Sequence, residues 1–124
     1  MSKILVVDDS MVIRKMIQKS LETNGHEVTQ AENGQEGFDR FNEGEFDLLI
    51  TDINMPIMNG FELVEKVRIS NHSKRTLPIV VVSTEFSDNL KLKGKNLGVN
   101  AWVVKPTNDD DLNQVVSALI KRAS

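Results

Sequence analysis

Short, continuous, β-branched apolar runs alternate along this chain with longer amphipathic stretches, and that alternation limits its folds more than any other feature. Ile4-Leu5-Val6-Val7, Leu48-Leu49-Ile50 and Ile79-Val80-Val81-Val82 are apolar at every position, as expected of strands covered on both faces. Residues 27–31 and 101–104 are strand-like but mixed, which suits edge strands with one side toward water. Ile13, Met16, Ile17 and Leu21 recur at helical spacing, as do Leu112, Val115, Val116, Leu119 and Ile120. Weaker helical patterns cover 35–41, 61–68 and 87–96. Strict alternation of strand and helix implies a parallel sheet with right-handed crossovers and helices on both faces. Three fully apolar runs and two mixed ones fit five βα units in the doubly wound order 2-1-3-4-5.

Size and composition narrow the function. A length of 124 residues suits one domain over 1–124, with no output domain expected beside it. The absence of cysteine excludes disulfides, thiolate-bound metals and a thiol nucleophile. A net charge of −3 argues against a domain built to hold nucleic acid. No apolar run approaches the ~20 residues that cross a bilayer, and the first run is too short for a secretory signal. The expectation is a cytoplasmic monomer without membrane insertion.

In an open parallel sheet, ligands bind outside the carboxyl ends of the strands, where the strand order reverses. Asp8 and Asp9 follow the first run, Asp52 the third, Ser83-Thr84 the fourth and Lys105-Pro106 the fifth. The first and third strands are neighbours in the expected order, so three carboxylates converge while a hydroxyl and an ammonium approach. Such carboxylates repel, and one of them should have a raised pKa unless a cation sits among them. All-oxygen ligands with room for water favour Mg²⁺. A carboxylate beside that ion can attack a phosphoryl group and form an acyl phosphate, with Ser83 and Lys105 meeting the transferred oxygens.

These residues carry a resemblance. Asp8-Asp9, Asp52 within Asp-Ile-Asn-Met-Pro-Ile-Met-Asn-Gly, Ser83-Thr84-Glu85 and Lys105-Pro106 resemble the receiver domain of two-component response regulators, most of all the stand-alone chemotaxis receivers of the CheY type. The resemblance implies the flavodoxin-like fold and a phosphoryl group accepted on Asp52 from a histidine kinase. It implies Mg²⁺ on the Asp9 and Asp52 carboxylates and the Asn54 backbone carbonyl, with Asp8 acting through a metal-bound water. Lys105 would pair with the phosphoryl group, and its bond to Pro106 would be cis. Ser83 would be the switch hydroxyl, Trp102 the switch aromatic that swings inward, and Asn54 and Glu85 the residues that tune hydrolysis. A separate target protein would dock on the surface of the fourth helix, fifth strand and fifth helix, where Lys91, Lys93 and Lys95 beside Trp102 form a basic patch.

The chain also departs from the family pattern. Trp102 stands where Tyr or Phe is common, Thr84 where a smaller residue is usual, and Thr107 where Phe is frequent, which puts the packing of that corner in doubt. Gly94 inside the fourth helix costs roughly 1 kcal/mol against Ala and predicts a soft or interrupted helix. His26 and His72 read as surface or strand-end residues without a catalytic partner pattern; Met11, Met16, Met55 and Met58 read as packing residues. Two rival functions remain open. One is a phosphorylation-independent pseudo-receiver that only binds partners. The other is a phosphatase of the haloacid dehalogenase type, which would want an acid where Asn54 stands. No glycine-rich phosphate loop is present to support nucleotide binding.

Overall fold

The computed structural model describes residues 2–123; Met1 and Ser124, the two ends of the expected domain, lie outside them. The elements run β1 (Lys3–Val7), α1 (Met11–Thr23), β2 (Glu27–Ala31), α2 (Gly34–Glu43), β3 (Leu48–Thr51), α3 (Gly60–Ile69), β4 (Ile79–Ser83), α4 (Asp88–Leu97), β5 (Ala101–Val104) and α5 (Asp109–Ala123). The five strands are parallel, in the order β2-β1-β3-β4-β5. The three uninterrupted apolar runs are the three central strands, because only a strand with helices on both faces needs apolar residues at every position.

Successive strand side chains point to opposite faces, and the core divides accordingly. Leu5, Val7, Leu49 and Ile79 pack against Phe41 of α2 and Leu63, Val64 and Val67 of α3. Ile4, Val6, Leu48, Ile50, Val80 and Val82 face the other way, onto Ile17 and Leu21 of α1 and Leu112, Val116 and Leu119 of α5. Each fully buried Leu or Ile contributes about 1.5–3 kcal/mol, so both layers hold the central strands in one register. A smaller cluster of Ile53, Phe61 and Val81, with Leu90 and Trp102 against it, lies under α4.

Three expectations need correction. Met16 is 59% exposed and Met11 57% exposed, so neither is a core residue; α1 buries a narrower stripe centred on Ile17 and Leu21. α4 runs without interruption through Gly94. The reason is packing: a Cβ at Gly94 would stand 3.1 Å from Cζ3 of Trp102, so the glycine is where the helix admits the indole. His72 is not an idle surface residue. Its Nε2 pairs with the Gly44 carbonyl at 2.9 Å, its Nδ1 accepts from the Lys74 N–H at 2.9 Å, and its ring lies 4.5 Å from that of Phe41.

Candidate functional site

The site is built by register. Val7 of β1 pairs with Thr51 of β3, and the Asp52 N–H extends that ladder to the Val7 carbonyl at 3.0 Å. Asp8 and Asp52 are each the first residue beyond a strand, so they leave the sheet at the same level. Ser83 pairs with Val104, and the Lys105 N–H donates to the Ser83 carbonyl at 2.8 Å. Four strands thus deliver Asp8, Asp52, Ser83 and Lys105 to one edge.

There the Lys105 ammonium donates to Asp8 Oδ2 at 2.7 Å and to Asp52 Oδ2 at 2.8 Å. The partners are 97 and 53 residues away in sequence. The other Asp8 oxygen accepts from the Ser10 N–H at 2.9 Å, and Asp52 Oδ1 accepts from the Ile53 N–H at 2.7 Å. Burial is the main cause of a raised Asp8 pKa; the Lys105 and Ser10 hydrogen bonds work against it and the Asp52 charge adds to it. Burial alone would lower the Lys105 pKa, but its bonds to Asp52 and Asp8 outweigh that and raise it. A cation does sit among the acids, therefore, and it is the protein's own lysine.

One carboxylate oxygen from each of Asp8, Asp9 and Asp52 lies within 4.8 Å of the others, two of the residues buried and Asp9 exposed. An all-oxygen set open on one side suits a hard cation that keeps several waters, and Mg²⁺ is such an ion. Asn54 and Glu85 are exposed beside this edge. The loop after Asp52 is closely confined: a Cβ on Gly60 would sit 2.1 Å from the Asp52 carbonyl oxygen, and one on Gly34 2.3 Å from that of Met58. Between these fixed points Ile57 takes φ +70° and is 80% exposed. The Met58 N–H bonds back to the Pro56 carbonyl at 2.7 Å, closing a γ-turn of the positive-φ kind that β-branched residues seldom adopt.

Ser83 is fully buried, and its Oγ accepts from the Glu85 N–H at 3.1 Å. The Lys105–Pro106 peptide bond is cis. Trp102 is half-buried; its Nε1–H donates to the Glu85 carbonyl at 2.8 Å, and its ring lies 6.3 Å from that of Phe61. The indole therefore already touches the loop between β4 and α4. Helix caps fall to other residues than the acidic pair: Ser10 caps α1 and Ser87 caps α4. Asp109, Asp110 and Asp111 form the first turn of α5, where negative charge favours the helix dipole. The corner at Thr107 leaves an apolar cavity of about 290 Å³ between α1 and α5, lined by Ile13, Met16, Val82 and Leu112 among others.

The basic patch divides. Lys91 and Lys95 line a shallow groove with Val99, Ala101 and Trp102, whereas Lys93 Nζ lies 4.7 Å over the Phe61 ring, on the α3 side. Two residues along a helix is more than half a turn, so the three lysines cannot share a face. Arg68, in the last turn of α3, was not legible as anything but a dipole complement. Its guanidinium donates to the carbonyls of Arg75, Leu77 and Gly98 and to Asn100 Oδ1, at 2.5 to 3.1 Å.

Comparison with known proteins agrees with this fold. The model of the response regulator receiver domain matches residues 4–117. The chemotaxis protein CheY1 of Helicobacter pylori (strain J99) is 38% identical over 120 residues, covering 95% of this chain and 96% of its own. A CheY homolog of Campylobacter jejuni is 43% identical over 106 residues, 84% of this chain and 81% of its own. Among solved structures, the chemotaxis response regulator CheY4 of Vibrio cholerae superposes with a TM-score of 0.90 at 39% identity, covering 96% of this chain and 98% of its own.

Proposed function

The chain belongs to the response regulator receiver domain family, a family of two-component signalling proteins, and from that premise we propose that Asp52 is the phosphoacceptor of a Mg²⁺-dependent switch. The observation that supports this most is the placement of Lys105: its ammonium reaches Asp52 and Asp8 at once from a third strand. A cation aimed at the acceptor oxygen would be drawn to the phosphoryl oxygens that arrive there. In the transfer, a carboxylate oxygen of Asp52 bonds to phosphorus while the P–N bond of a phosphohistidine breaks. The electron pair goes to the donor imidazole, which takes up a proton; the product is an acyl phosphate.

The carboxylates of Asp9 and Asp52 and the Asn54 carbonyl would hold Mg²⁺, with Asp8 one shell further out. The ion, when bound, supplies charge neutralisation for the transferred oxygens. Ser83 offers its hydroxyl proton and Lys105 its ammonium to the same oxygens. Asn54 and Glu85 at the mouth tune the water attack that ends the signal, so the protein assists its own dephosphorylation without being an enzyme in the ordinary sense. Phosphorylation adds about −1.5 to −2 charges beside Ser83, and that differential charge biases the β4–α4 loop and Trp102. The surface altered is α4, β5 and α5, with Lys91 and Lys95 flanking Trp102, and it suits an acidic segment of a separate target. The chemotaxis relatives support chemotaxis signalling as the pathway, with residues 1–124 as one monomeric receiver acting in the cytoplasm.

Incubation with Mg²⁺ and acetyl phosphate, followed by intact mass and Trp102 emission, tests the reading. One base-labile phosphoryl adduct is expected, lost in Asp52→Asn and lost on chelation of the metal. A folded, metal-binding chain that forms no adduct would instead be a phosphorylation-independent interaction module.

A further inference from the structure

We propose that Arg68 is the pivot of α4: it fixes the C-terminal end of that helix to the α3–β4 connection, so that displacement entering at the β4–α4 loop is expressed in the N-terminal half of α4. The signalling value of such a pivot rests on the reading of α4 as part of the output surface.

One planar group joins three segments. Nη1 donates to the carbonyls of Arg75 at 2.8 Å and Leu77 at 2.6 Å, in the connection before β4. Nη2 donates to the Gly98 carbonyl at 2.5 Å and to Asn100 Oδ1 at 3.1 Å, beyond α4. Asn100 Oδ1 also accepts the N–H of Ile79, the first residue of β4, at 2.8 Å. Gly98 ends α4 with φ +104°, and a Cβ there would stand 2.8 Å from Arg68 Nε. Only glycine permits both the left-handed cap and the approach of the guanidinium. Arg68 forms no ion pair among the described residues; its charge is spent on carbonyl oxygens, at the helix end where positive charge is favourable. A lysine could not copy this, because a single ammonium lacks the fork that serves two loops at once.

The other end of α4 is held differently. Residues 84–89 are exposed, and the Glu85 carbonyl is tied to β5 by one neutral hydrogen bond from Trp102 Nε1 at 2.8 Å. Between the ends, Gly94 is the one buried residue of the helix. Beyond the C-terminal end, two charge-assisted bonds come from a guanidinium that two more fix to the connection before β4. The loop at the other end has two neutral bonds, the one from Trp102 and the Glu85 N–H to Ser83 Oγ, and charge-assisted bonds are roughly twice as strong each. A helix held so unequally turns about its stronger end.

Amide hydrogen exchange on the whole chain tests this. The N–H groups of Gly98, Val99 and Asn100, bonded to the carbonyls of Lys95, Gly94 and Ile79, are expected to exchange at least tenfold faster in Arg68→Met, with the β3 amides and the β4 amides beyond Ile79 unchanged. Arg68→Lys is expected to recover less than half of that loss on a logarithmic scale, and it carries the comparison should Arg68→Met fail to fold. Unchanged rates at 98–100, or equal acceleration throughout the sheet, would overturn the pivot. With acetyl phosphate and Mg²⁺, the wild-type chain should change protection within 84–92 and not at 98–100, whereas in Arg68→Met the change should reach 98–100. A wild-type change that includes 98–100 would also overturn it. Absence of a phosphoryl adduct by mass defeats the receiver reading instead, and the unphosphorylated comparison then decides the pivot alone.

Discussion

α3 and α4 are each ten residues long, and each begins at a side-chain cap, from Asn59 and from Ser87. α3 adds the reciprocal bond from Glu62 to make a capping box and buries Phe61, Leu63, Val64 and Val67. Its first residue, Gly60, donates to the Ile53 carbonyl at 3.0 Å, which ties the helix to the residue next to Asp52. α4 buries Gly94 alone and exposes Leu92 and three lysines. The contrast separates a helix anchored by its core face from one that lies lightly on the sheet. A local charge can shift an equilibrium only by its differential effect on two states, and the proposed switch asks that difference of the lightly held side.

The largest test of that contrast is a matched pair of truncations. Leu63→Ala on α3 is expected to cost about 2–5 kcal/mol in chemical denaturation, and Leu92→Ala on α4 to stay within about 0.5 kcal/mol. Comparable losses in both would erase the distinction. Next comes the Lys105 ammonium, which ties the end of β5 to the ends of β1 and β3. Lys105→Met leaves Asp8 and Asp52 facing each other without a cation and should destabilise the metal-free protein by about 2–4 kcal/mol at neutral pH. The pH dependence follows from the two shifts in the wild-type chain. The raised Lys105 pKa contributes stability that is complete below the ordinary lysine value of 10.5 and is lost as pH rises through the folded value. The raised Asp8 pKa means the native state binds the extra proton, so stability falls as pH climbs from 3.8 through the folded value. Denaturant midpoints against pH should show the first limb vanish in Lys105→Met. The smallest effect concerns Gly94. Gly-to-Ala in a helix interior usually gains about 1 kcal/mol; here the new Cβ would meet the indole at 3.1 Å, so Gly94→Ala should gain no stability while shifting Trp102 emission. A full gain with unchanged emission would show the contact to be idle.

The fold was legible because burial on two faces leaves no choice of residue: the strands of Val6, Ile50 and Val81 could be nothing else. The acidic edge was legible for a related reason, since parallel strands put whatever follows them at one rim, and Asp8, Asp52 and Lys105 are chemically distinctive. Less was readable where side chains choose among neighbours. Nothing in the order of residues says that Lys93 turns to Phe61 while Lys91 and Lys95 turn to Trp102, although helical spacing alone forbids a common face. Met16 fits an apolar stripe on paper, but α1 meets the sheet over a narrower arc than the pattern allows. Arg68 was hidden for a third reason. Its partners are backbone carbonyls, which every residue possesses and no sequence can advertise.

The distance of Lys105 from its partners also sets an order of events in synthesis. The acids of the rim are made first, and their resident cation follows Asp52 by 53 residues. At ~5–20 residues per second, that interval is roughly 3 to 11 s. For that time a nascent chain can hold β1 and β3 but not the charge that quiets their ends. The acidic rim receives its cation only with β5, the fifth strand of the sheet, so the group that compensates Asp8 and Asp52 is also the one that arrives after them.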